Sequence, residues 1–96
     1  MADKMIEITV RGVDLKIDPR ALHDFRLLDM LVQVDEGETL MVVHALRRIL
    51  GGKEQLDAIM TAIEAENDGW CPMDEMSGAL REIVDGISQK DETAKK

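Results

Sequence analysis

Two short runs of alternating apolar residues meet at Arg11-Gly12, and no other feature narrows the folding options of this chain so much. Ile6, Ile8 and Val10 recur at period two before the dipeptide, and Val13, Leu15 and Ile17 recur at the same period after it. Successive strand side chains point to opposite faces, so each run has an apolar face and a polar one, the latter bearing Glu7, Thr9, Asp14 and Lys16. Gly12 supplies the turn. The expectation is an antiparallel hairpin, and a hairpin is marginal by itself in water, so its apolar side must lie on helices.

Helical spacing fills the remainder. Asp18-Pro19 is a helix-start signal, an acidic cap followed by a proline that forfeits no internal hydrogen bond. It predicts a first helix through about Val34, with Leu22, Phe25, Leu28, Leu31 and Val32 on one broad face and Arg20, Asp24 and Gln33 outward. Asp35-Glu36-Gly37 ends it. The second segment, from Glu38 or Thr39 to Leu50, is apolar almost all round and reads as the most buried helix. Gly51-Gly52 stops it, with Arg47 and Arg48 in its last turn. A third helix from Lys53 or Glu54 sets Leu56, Ile59, Met60 and Ile63 at spacings of three and four, and Asn67-Asp68-Gly69 closes it. A fourth, begun by Pro72, carries Met73, Met76, Leu80, Ile83, Val84 and Ile87 and loses its pattern near Ser88. Residues 1–4 read as a flexible start, 5–88 as a single domain and 89–96 as a disordered polar tail. The fold class is therefore α+β, an N-terminal antiparallel hairpin packed on a bundle of three to four helices.

Charge decides which partners are excluded. The chain of 96 residues carries a net charge of -8, and the stretch from Glu54 to Asp85 sets nine acids against the single base Arg81. Such a surface repels phosphate backbones and anionic lipid, which excludes nucleic acid and membrane surfaces as partners. No run approaches the roughly 18 apolar residues of a membrane span, and MADKMIEITV lacks the regions of a signal peptide. A cytoplasmic protein is expected. The lone cysteine, Cys71, has no internal disulfide partner.

The inventory for catalysis is thin. Cys71, His23 and His44 show no nucleophilic signature, no paired-cysteine or HExxH spacing, and no glycine-rich phosphate cradle accompanies them. No catalytic, cofactor-binding or metal-binding residue is assigned, and no cofactor is expected. His44 reads as a core or boundary residue and His23 as solvent-facing. Seven methionines against two aromatics, Phe25 and Trp70, invite a binding reading instead. Met60, Met73 and Met76 either present an adaptable apolar surface or fill core gaps. Trp70 either caps the core or anchors an interface. The candidate partner contacts are Phe25, Leu28, Trp70, Met73 and Met76. A free hairpin edge would also offer a second copy a place to pair.

The order of elements, and the segments IDPRALHDFRLLDMLVQVDEGE, RRILGGKEQLDAI and ENDGWCPMDEMSGALREIV, resemble the phage tail assembly chaperones of long-tailed phages and prophages. The resemblance covers about residues 5 to 88. It rests on Asp24-Phe25 with Leu28, on Leu50-Gly51-Gly52 followed by Glu54-Gln55-Leu56, and on Asp68-Gly69; Trp70-Cys71 stands outside the pattern. It implies a viral, non-enzymatic protein that binds the tape measure protein and keeps its apolar helices soluble while tail-tube subunits assemble. It also implies a frameshifted longer form of the same chain as a partner. Ala94-Lys95-Lys96 is a sequence that a slippery heptamer can encode. Two alternatives stay open, a regulatory or antitoxin-like adaptor unrelated to tails and an enzyme subunit.

Overall fold

A computed structural model describes residues 5–90. The hairpin forms as its alternation requires. Strand β1 (Ile6–Val10) pairs antiparallel with β2 (Val13–Ile17) in the register Ile6 to Ile17, Ile8 to Leu15 and Val10 to Val13. The two turn residues both have positive φ, +53° at Arg11 and +79° at Gly12, as a two-residue type I′ turn demands. Ile8, Val10, Leu15 and Ile17 are buried, while Glu7, Thr9, Asp14 and Lys16 are exposed.

Four helices follow: α1 (Phe25–Asp35), α2 (Met41–Ile49), α3 (Glu54–Glu66) and α4 (Met73–Lys90). The expected helix start at Asp18-Pro19 is corrected. Asp18 accepts from the backbone N–H and the guanidinium of Arg20, which closes a tight turn leading into the short 3-10 segment Ala21–His23. Asp24 then takes over as the cap, accepting from Arg26 N at 3.1 Å. Helix α1 therefore begins at Phe25, and none of the residues expected on its inward face, Leu22, Phe25, Leu28, Leu31 and Val32, is fully buried; the one buried residue of α1 is Leu27, outside that face. Helix α2 is likewise not apolar all round in its setting. Val42, Ala45, Leu46 and Ile49 are buried, whereas Val43 and His44 are exposed.

Helix α4 lies across β1, and two glycines set how closely. A Cβ on Gly86 would stand 3.3 Å from Ile8 Cδ1, and one on Gly78 would stand 3.0 Å from Arg11 Nη2. Arg11 uses that space. Its Nε and Nη2 donate to the two Glu82 oxygens and its Nη1 donates to Glu75, so the turn is stapled to α4. At the far end Lys90 Nζ donates to the Glu7 carbonyl at 2.6 Å, which carries α4 two residues past the expected domain end at 88. Residues 1–4 and the rest of the expected tail, 91–96, lie outside the described residues.

Helix α3 lies beside β2. Gln55 accepts from Lys16 N at 2.7 Å and donates to Lys16 O at 3.0 Å, so one side chain answers the backbone as a neighbouring strand would. The hairpin edge at Lys16 is thereby closed. Beneath the sheet, Leu27, Leu46, Ile59, Ile63, Ile83 and Ile87 complete the core.

Candidate partner-binding surface

The local rules that place α1 also leave part of it uncovered. Asp24 caps the helix and accepts from Arg48 Nε of α2, so α1 is pinned to α2 at its first turn. That hydrogen bond, reinforced by the Arg26 N–H, holds the Asp24 carboxyl below its ordinary value and raises Arg48, against partial desolvation. With Leu27 fixed inward, residues at spacings of three and four on the other side face solvent: Phe25 is 83% exposed, Leu28 40% and Val32 53%.

An open groove of about 380 Å³ separates this stripe from α4. Leu28, Leu31 and Val32 form one wall, and Leu80 and Val84 form the other. Met73, 39% exposed, continues the α4 wall by a turn at spacings of four and seven from Ser77 and Leu80. The charged residues lining the groove are Asp35, Asp85 and Arg81, all exposed. Asp29 and Glu36 stand four residues after Phe25 and Val32 and border the same stripe.

The five residues nominated from sequence thus divide. Leu28 lines the groove, whereas Phe25 and Met73 are exposed on α1 and α4 without lining it. Trp70 is 75% exposed but does not line the groove. Its loop is fixed: Gly69 N donates to Glu64 O, Trp70 N donates to Asn67 O and Asn67 Nδ2 donates to Ile63 O. Positive φ at Asp68 and Gly69 permits that helix stop, and the indole is held outward rather than capping the core. Met76 is only 8% exposed and belongs to the core, so it offers no contact surface. Sequence reasoning placed Val32 and Val84 on the apolar stripes of their helices and gave Asp85 no role at a surface. The signal lay in the carboxylates at positions 29, 35 and 36, which leave the stripe beside them fit for an outer face.

Among the described residues the other polar features add nothing to the groove. His44 is exposed, against the expected core or boundary position. Burial, with the nearby Glu64 charge, pushes the Cys71 thiol up and away from thiolate reactivity. A larger depression of about 740 Å³ is lined by Lys16, Asp18, Arg20, His23, Asp24 and Arg48 among others. Within it Arg20 pairs with Asp18, holding that carboxyl down to about 2, and Arg48 pairs with Asp24. Among the described residues, no group of three or more His, Cys, Asp or Glu is placed to hold a metal ion, and no helix is long and apolar enough to cross a membrane. Comparisons with protein-family models, curated proteins and solved structures find no match.

Proposed function

We propose that this protein is a non-enzymatic assembly chaperone of the phage tail type, acting in the host cytoplasm, whose client is the tape measure protein. The observation that carries the reading is the exposed stripe of Phe25, Leu28 and Val32 on a helix whose opposite side is anchored in the core. An apolar stripe of that kind can cover an apolar client helix, while the -8 net charge keeps the complex dispersed. Trp70, presented on a fixed turn, is a second anchor of the type that dominates interface energy. The choice of the tape measure protein as client, and of the tail-tube subunits that follow it, is drawn from the resemblance of the element order and segments to the tail chaperones.

Co-expression tests the reading. Apolar segments of the tape measure protein should move into the soluble fraction with the wild-type protein and return to the pellet with Phe25→Ser. A client that stays insoluble with wild type, or a soluble enzyme whose activity the protein alters, would replace the chaperone reading with the adaptor one.

A further inference from the structure

We infer that the α1–α4 groove is the client seat, and that the segment it takes is an amphipathic helix whose apolar stripe is flanked by lysine or arginine; this rests on the chaperone reading above. Length comes first. The α1 wall runs from Leu28 to Asp35, eight residues whose seven steps rise about 10 Å along the helix, which matches the span of an i, i+3, i+7 apolar repeat on a partner helix. Depth agrees, since about 380 Å³ admits a few side chains rather than a folded domain. Charge then selects the flanks. Asp35 and Asp85 line the groove, and Asp29 and Glu36 border its exposed stripe, against Arg81 alone among the lining residues. Basic residues beside the client's stripe would meet carboxylates on both walls, and acidic ones would be repelled. The same charge disfavours a second copy as occupant, because each copy brings -8 and its own acidic rim.

The probe is a labelled helical peptide of roughly 18 residues, about five turns, with an i, i+3, i+7 leucine stripe and lysine flanks. Its control carries the same stripe with glutamate flanks. Fluorescence anisotropy should show the lysine peptide binding at least about tenfold more tightly, with the preference shrinking as salt rises. Val32→Asp should weaken the lysine peptide by about tenfold or more, without a change in melting temperature, because Val32 is exposed. Asp35→Lys with Asp85→Lys should reverse the preference between the peptides. Equal affinity for both peptides, or full affinity in Val32→Asp, overturns the assignment. So does a dimer in light scattering that Val32→Asp dissociates, since a second copy would then fill the groove. Rescue of the client by Val32→Asp in co-expression overturns the seat while leaving the chaperone reading intact. Groove-dependent lysine-peptide binding without rescue by wild type retains the seat and removes the chaperone reading.

Discussion

Arg11 occupies a left-handed position where asparagine or glycine is the easier residue, and that mismatch is explained by what its guanidinium reaches. A double-mutant cycle on Arg11 and Glu82 should return a coupling of about 0.5–1 kcal/mol in urea unfolding, as for a partly exposed forked pair. The two methionines of α4's first turns separate just as clearly. Met76→Ala should cost about 2–4 kcal/mol by leaving a core void, whereas Met73→Ala should cost about 1 kcal/mol or less. Asp24 gives a pH signature. Its carboxyl is depressed in the fold, so its bond to Arg48 stabilises fully above the ordinary value near 3.8 and is lost as pH falls through the depressed one. Asparagine also caps helices, so Asp24→Asn removes mainly the ion pair. Its melting temperature should lie below wild type at neutral pH, and the two should converge in strong acid.

At the level of elements, the β-hairpin and α3 were legible because one local rule decides each: a period of two around Arg11-Gly12, and an apolar stripe between clear stops. Helix α1 was misjudged in its start because Asp18-Pro19 carries a start signal, while Asp24, read only as an outward residue of the helix, has a capping side chain too. Which wins depends on Arg20 and on Arg48, a residue of another helix. Gly78 and Gly86 drew no reading from the sequence, although a glycine inside a helix costs about 1 kcal/mol against alanine and so needs a packing reason. That the approach is β1 on α4 is a tertiary fact. Filling it should be felt. Gly86→Leu should destabilise by about 1–3 kcal/mol through collision with Ile8, measured by thermal or urea unfolding.

Across the whole molecule, the candidate surface was only half legible. Periodicity marks a stripe as apolar without saying whether it faces the core. For Phe25, Leu28 and Val32 the answer depends on Leu27 filling the inward place and on α4 standing a groove's width away. Trp70 needed the fixed turn before it, and Met76 needed its neighbours. The account as a whole holds that a client is covered by the α1–α4 side and not by the hairpin or the charged depression at Asp18 and Arg48. Hydrogen exchange of the full chain with and without a soluble tape measure segment tests this most directly. Protection gained over 25–35 and 73–85 is the predicted result; protection gained over β1 and β2, or around residues 18–24 and 48–51, would contradict it.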